Sequence, residues 1–297
     1  MSFNVVGIGE VLWDLLPSGP QLGGAPANFA YHAHALGAQA KVVTRVGNDA
    51  LGREILDRFR SMGLSEKGVQ VDQSASTGTV AVTLSGDGNP HFTILESVAW
   101  DCIAATSEAL DAVREASAVC FGSLAQRNPS SRAAIQKLLT AVPTAALRVF
   151  DINLRQSFYS CEIIEQSLKL PNLLKLNDGE LVAVSEMFSL RGNSEQQVKA
   201  LADQFGLRAV VLTRGADGSL IYERGRWSEQ RPKPVHMVDT VGAGDSFTAA
   251  LVLGLLHEED LDSAHAFAAE VARYVCSCVG ATPPLPDQFR NRFARSL

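Results

Sequence analysis

The sequence lacks what marks a membrane, secreted or nucleic-acid-binding chain. No uninterrupted apolar stretch approaches the ~20 residues needed to span a bilayer. No block of Lys or Arg occurs. The 26 basic and 32 acidic side chains leave a net charge of −6, so the electrostatic footprint of a nucleic-acid binder is missing. Met1-Ser2-Phe3-Asn4 has neither the basic start nor the apolar core of a signal peptide. The five cysteines, at 102, 120, 161, 276 and 278, are odd in number and irregularly spaced. Cys276-Ser277-Cys278 is too tight for a zinc knuckle, and no His/Cys pair stands near it. These features argue against a disulfide framework and against a metal or redox role. They lead one to expect reduced thiols in a cytoplasmic protein. Repeats, low-complexity tracts and long linkers are absent too.

What is present is the composition of a globular protein. Of 297 residues, 46 % are hydrophobic and 20 % charged, enough for one large α/β domain or two ordinary ones. Short apolar runs alternate with helical patterns. Asn4 to Gly9, Lys41 to Val46, Val119 to Gly122, Val149 to Ile152, Leu173 to Leu176 and Ala209 to Thr213 read as strands. Ala27 to Leu36, Leu51 to Met62, Ser130 to Ala141 and Ser194 to Phe205 read as helices. This beat predicts an α/β fold in three layers, with a mostly parallel sheet covered on both faces. It fails at residues 77–97. There Thr77 to Ser85 and His91 to Ser97 flank Gly86-Asp87-Gly88-Asn89-Pro90 and read as a hairpin. A hairpin does not fit inside a parallel sheet, so it is expected to project as a small lid, joined by the segment after Asp14. Val80, Val82 and Leu84 would share one face of its first strand, part covering ligand and part pairing two copies of the chain into a homodimer. A second hairpin, Gly218 to Tyr222 with Arg226 to Gln230, is expected at a sheet edge.

The richest stretch is Asp239-Thr240-Val241-Gly242-Ala243-Gly244-Asp245-Ser246, leading into an apolar run from Phe247 to Leu256. It reads as a glycine-rich turn opening into a buried helix. Backbone N–H groups at such a start lack partners within the helix, and with the helix dipole they form an anion cradle. Gly242, Ala243 and Gly244 would supply those amides. A carboxylate at the mouth of a phosphate cradle is electrostatically unfavourable unless it works, and accepting a proton from an attacking hydroxyl is that work for Asp245. Helix capping is the plainer alternative.

A second motif, Gly23-Gly24-Ala25-Pro26-Ala27-Asn28, follows Gly9-Glu10-Val11-Leu12-Trp13-Asp14, which reads as the close of the first strand. Taken with the Gly-Ala-Gly-Asp segment, it resembles the signatures of the ribokinase-like (PfkB-type) family of carbohydrate kinases. The two motifs stand in the family's order, about 200 residues apart. The likeness covers nearly the whole chain, as one catalytic domain over residues 1–297 with the lid inserted, and the wording is most similar to fructokinases.

The resemblance implies an ATP-dependent phosphotransferase acting on a small sugar. It makes Asp245 the general base and places the transferring phosphoryl group on the cradle. Asp14, expected at the carboxyl end of a strand, would hold two sugar hydroxyls, with Gly23, Gly24 and Asn28 in the same pocket. A solvated Asp14 and an N-capping Asn28 are the bland alternatives. Asn177-Asp178-Gly179-Glu180 resembles the family's Asn-x-x-Glu motif. It implies Asn177 on a nucleotide phosphate and Glu180 placing Mg²⁺ through water, against a capping-box start. The loop Thr213-Arg214-Gly215-Ala216-Asp217-Gly218 would lie along the ATP phosphates and ribose, with Thr213, Gly215 and Gly218 as contacts, where spacing alone says β-turn. Asp151-Ile152-Asn153-Leu154-Arg155 resembles a segment of fructokinases and 2-keto-3-deoxygluconate kinases. Arg155 would bind an anionic substrate group or pair with an acid. Many relatives hold K⁺ through Asp239, carbonyls near residue 241 and the loop at Gly280. Here Pro284 stands where a hydroxyl ligand is expected, so carbonyls alone would have to hold the ion.

Two other readings compete. Gly7-Ile8-Gly9 is half of a dinucleotide-binding fingerprint, but position 12 is Leu, and no P-loop lysine motif occurs. A catalytically dead sugar-binding regulator would not need Asp245. Among kinases, 2-keto-3-deoxygluconate is the alternative substrate to fructose.

Overall fold

The computed structural model describes residues 2–16, 19–84, 90–231 and 233–293, with the side chains of 82–84 and 90–92 left aside. Thirteen strands run in chain order: β1 Asn4–Ile8, β2 Leu12–Leu16, β3 Gly19–Gly23, β4 Gln39–Gly47, β5 Val69–Asp72, β6 Gly78–Leu84, β7 Pro90–Ile94, β8 Ala118–Phe121, β9 Leu147–Asp151, β10 Leu173–Asn177, β11 Ala209–Thr213, β12 Ser219–Glu223 and β13 Arg226–Gln230. The helices are α1 Ala25–Ala35, α2 Ala50–Ser61, α3 Ser107–Arg114, α4 Pro129–Thr140, α5 Cys161–Leu168, α6 Asp178–Met187, α7 Ser194–Phe205, α8 Ala243–Leu256, α9 Leu261–Cys276 and α10 Asp287–Arg290.

Nine strands form the main sheet in the order β13-β12-β11-β10-β9-β8-β1-β4-β5. All pairings from β11 to β5 are parallel, while β12 and β13 add an antiparallel edge, the second hairpin read from the sequence. Alternate strand residues serve opposite faces. Val5 and Val149 belong to one core with α1, α2, α8 and α9. Val6 and Phe150 belong to the other with α3 to α7. Burial on both faces explains why these strands are continuous apolar runs.

The lid is a separate four-stranded sheet, β3-β2-β6-β7. Its hairpins β2–β3 and β6–β7 are antiparallel, and the central β2–β6 pair is parallel. Two polar ties root it. Trp13 Nε1 donates to the Leu51 carbonyl at 3.1 Å, and the Thr77 amide and hydroxyl donate to the Asp49 carboxylate at 2.8 and 2.7 Å. Gly78 is required at the root, because a Cβ there would lie 2.2 Å from the Trp100 indole nitrogen. The hairpin tip read at Gly86-Asp87-Gly88-Asn89 lies outside the described residues. So do the side chains of Val82 and Leu84, and with them the surface read for pairing two copies. Val80 is buried toward the body.

One boundary differs from the sequence reading. Gly9 to Asp14 does not close the first strand. β1 ends at Ile8, the chain turns at Gly9 (φ +146°), and Leu12 to Leu16 starts again as a lid strand. Asp14 is therefore mid-strand in the lid, paired with Gln21 and Val80, and not at the carboxyl end of a main-sheet strand. Glycine at position 7 answers to packing. A Cβ there would meet the Pro26 carbonyl oxygen at 2.1 Å, so β1 is pressed against the start of α1 where a dinucleotide fold would seat pyrophosphate.

Candidate active site

A cavity of about 750 Å³ lies along the carboxyl ends of the parallel strands, with the lid over one end. The segments read from the sequence converge on it: Asp14, Gly23, Gly24 and Asn28 from the lid and α1, Arg155 after β9, Asn177 and Glu180 at the β10–α6 junction, Thr213, Gly215 and Gly218 after β11, and Gly242 to Asp245. Asp239 stands just behind this turn.

The anion cradle takes its shape from Gly242, the N-cap of α8 in the left-handed region (φ 76°). A Cβ at Gly242 would lie 2.3 Å from the Ala281 carbonyl oxygen, so glycine is needed for both conformation and space. The Ala243 amide is partly diverted, donating to the Thr240 carbonyl at 3.3 Å, which corrects its place as a free cradle amide. Among the described residues no acceptor takes the amides of Gly242, Gly244 or Asp245. These three can converge on one anion.

Asp245 stands in the first turn of α8, where the helix dipole favours its negative form. Its Oδ2 accepts from Asn28 Nδ2 at 2.8 Å. Asn28 is thus not an N-cap, a position Gly24 fills; it stands inside α1 with its side-chain amide on Asp245. Burial, followed by the nearby Asp151 charge, raises the Asp245 pKa to about 6, against the Asn28 hydrogen bond and the charges of Lys175 and Arg155. A carboxylate so poised is ionised at neutral pH yet basic enough to accept a proton.

Behind the cradle lies a buried ion pair that sequence reasoning missed. Lys175 Nζ donates to Asp151 Oδ1 at 2.9 Å, and Thr248 Oγ1 donates to Asp151 Oδ2 at 3.0 Å. A Cβ at Gly244 would lie 2.9 Å from Lys175 Nζ, so the ammonium sits directly against the bare backbone of the cradle. Burial opposes its charge, but Asp151 and Glu180 outweigh this and raise the Lys175 pKa. A lone lysine inside the apolar run Leu173-Leu174-Lys175-Leu176 was the available signal.

At the lid end, Gly23 leaves room for Asp14, since a Cβ would lie 2.6 Å from Asp14 Oδ2. Gly24 (φ 113°) closes on the turn before β2, where a Cβ would lie 2.5 Å from the Glu10 carbonyl oxygen. Burial raises the Asp14 pKa, and Arg155 opposes the shift. Arg155 is exposed, donates Nη1 to the Leu154 carbonyl at 3.0 Å, and has no ion-pair partner within 4 Å among the described residues. The alternative in which it pairs with an acid is therefore not the one seen. Glu10, buried and facing the cavity, was also missed.

The metal expectation meets occupied carboxylates. Glu180 Oε2 accepts from the Asn177 amide at 2.8 Å and Oε1 from the Leu154 amide at 3.0 Å, while Asn177 Oδ1 accepts from the Glu180 amide at 2.9 Å. This is the capping box that the sequence left open. Asp239 similarly accepts from the amides of Val241 and Gly280, each at 3.0 Å. Among the described residues no cluster of three acidic, His or Cys side chains could hold a metal by itself. Such a donor set suits a divalent ion carried by phosphates and water, with Glu180 outside its shell. Pro284 turns its carbonyl to the Tyr274 hydroxyl at 3.0 Å. The five cysteines stand as free thiols.

A doubly covered parallel sheet, a strand-built lid and a carboxylate at a glycine-lined helix start define a ribokinase-like phosphotransferase. The chain belongs to the pfkB family of carbohydrate kinases, whose model matches residues 20–288. Fructokinase-2 of Solanum lycopersicum is 29 % identical over 95 % of this chain and 93 % of its own length. An uncharacterized sugar kinase of Pyrococcus horikoshii, solved in complex with ATP, superposes with a TM-score of 0.81 at 27 % identity, covering 96 % of each chain. A fructokinase of Vibrio cholerae, solved with fructose, ADP and calcium, shares the fold at a TM-score of 0.80 and 24 % identity over 95 % of each chain. The protein is a sugar kinase with no helix among the described residues long and apolar enough to cross a membrane.

Proposed function

We propose that this kinase transfers the γ-phosphoryl group of ATP to a primary hydroxyl of a free ketohexose, fructose first among them. The observation that carries the reading is the Asn28–Asp245 hydrogen bond, which ties the lid-end pocket to the carboxylate at the head of the cradle. The acceptor hydroxyl lies against Asp245, which takes its proton as the oxygen attacks. The phosphoryl oxygens rest on the amides of Gly242, Gly244 and Asp245, with the Lys175 charge behind them. Asp14 accepts two sugar hydroxyls. Asn177 and the loop of Thr213, Gly215 and Gly218 line the ATP side. Mg²⁺, when present with ATP, would supply neutralising charge, and Glu180 would order water beside it. The lid excludes water that would otherwise hydrolyse ATP.

An ADP-coupled assay across fructose, ribose, 2-keto-3-deoxygluconate, tagatose phosphate and nucleosides tests this. Fructose should give the highest kcat/KM. Turnover of the keto-sugar acid without any ketohexose would replace fructose by that acid and make Arg155 its anchor.

A further inference from the structure

Glu10 lies on the turn between β1 and β2, pressed against the start of α1. It keeps 2 % of its surface, faces the cavity, and its Oε2 has no hydrogen-bond partner among the described residues. A buried polar atom without a partner is costly and rarely left so unless a ligand completes it. Nothing in the phosphoryl-transfer steps uses this carboxyl.

Its neighbours indicate what kind of ligand. The same end of the cavity holds Asp14 and Asp245, and the sole cation shared among the three carboxyls is Arg155. Lys175, behind the cradle, is already paired with Asp151. Three carboxyls thus face one cation at this end, and a substrate carboxylate would add a fourth negative charge. A hydroxyl meets no such penalty, and can both donate to and accept from a carboxyl.

We propose that Glu10 is a specificity-determining contact for the acceptor, its side-chain carboxyl hydrogen-bonding a hydroxyl of a neutral sugar and, with Asp14, barring sugar acids. Burial first, with the Asp245 charge adding, raises its pKa to about 7, so near neutrality the group supplies donor as well as acceptor. The proposal rests on the kinase reading of this cavity, but not on fructose being the sugar.

Calorimetric binding to the full-length chain, saturated with a non-hydrolysable ATP analogue, separates the two. The ligands are fructose, ribose, tagatose and 2-keto-3-deoxygluconate. The variants are Glu10→Gln, which keeps a donor and an acceptor, and Glu10→Leu, which keeps the volume and removes both. With fructose bound best, Glu10→Leu weakening it roughly tenfold or more, and Glu10→Gln and analogue affinity nearly unchanged, both readings stand. The same pattern on another neutral sugar keeps the role of Glu10 and rejects fructose. Fructose bound best but equally well by Glu10→Leu rejects Glu10 and keeps fructose. A sugar acid bound best by the wild type overturns both.

Discussion

The two ends of the cavity are made of different material. The phosphate end is backbone: amides at the head of α8, held open by glycines at 242 and 244 whose Cβ atoms would strike Ala281 and Lys175. The lid end is side chain: Glu10, Asp14 and Asn28 line it, and Asn28 reaches Asp245. Backbone amides read only the shape and charge of an anion, and few substitutions alter them. Carboxyls and amides on side chains read one pattern of hydroxyls, and a single substitution rewrites it. A fold built this way keeps its donor constant and leaves its acceptor free to vary.

The largest expected effect comes from the residue that both ends share. Asp245→Asn should lower kcat by about 10²–10⁴-fold while an ATP analogue still binds; kcat within threefold of wild type would remove Asp245 as the base. The same variant should be more stable at pH 7.5. Its folded pKa of about 6 exceeds the 3.8 ordinary for an aspartate, so ionisation costs the fold stability as pH rises from about 4 through 6. Thermal melts should show the gain at pH 7.5 and lose it at pH 4.

Next is the backbone end. Gly242→Ala puts a Cβ 2.3 Å from a carbonyl oxygen at a φ of 76°. Strain of ~1–3 kcal/mol should displace the cradle, lowering kcat and raising the KM for ATP with little change in that for sugar. The side-chain end should give the converse. Asp14→Ala should raise the KM for sugar by tenfold or more, from lost charge-assisted hydrogen bonds of roughly 1.5–3 kcal/mol each, and leave the KM for ATP alone. Equal shifts in both constants from either variant would dissolve the division of labour. The gentlest probe is pH. Below about 6 Asp245 becomes protonated, so log kcat/KM for sugar should fall with unit slope toward acid and be flat just above neutrality. A limb near 4 would place the base in water, not in this cavity.

The sequence showed what repeats and what glycine marks. Runs such as Ala209 to Thr213 could be only buried strands, and the failure of the βα beat at 77–97 located the lid. Gly242 and Gly24 drew attention as bare backbone, but what presses on them, the Ala281 and Glu10 carbonyls, only the fold shows. Asp14 was seen as a site residue but misplaced, because Gly9 to Asp14 is one apolar run and the break at Gly9 depends on α1 packing against β1. Glu10 and Lys175 were not seen at all. Each is a single charge inside an apolar run, and only the fold shows that Lys175 meets Asp151 while Glu10 Oε2 is left without a partner among the described residues. Glu180 was ambiguous between Mg²⁺ and a capping box because both ask for the same four residues.

The Asn28–Asp245 hydrogen bond spans 217 positions of the chain. The ribosome releases α1 early, yet α1 packs on α8, and Phe29, Ala30 and Ala33 share a core with Phe247, Ala250 and Leu251. Until residues near 256 have emerged, that face of α1 has no cover and Asp245 does not exist to be positioned. A nascent chain that has not yet released α8 therefore exposes an apolar helix face, the kind of surface that makes incomplete chains prone to associate.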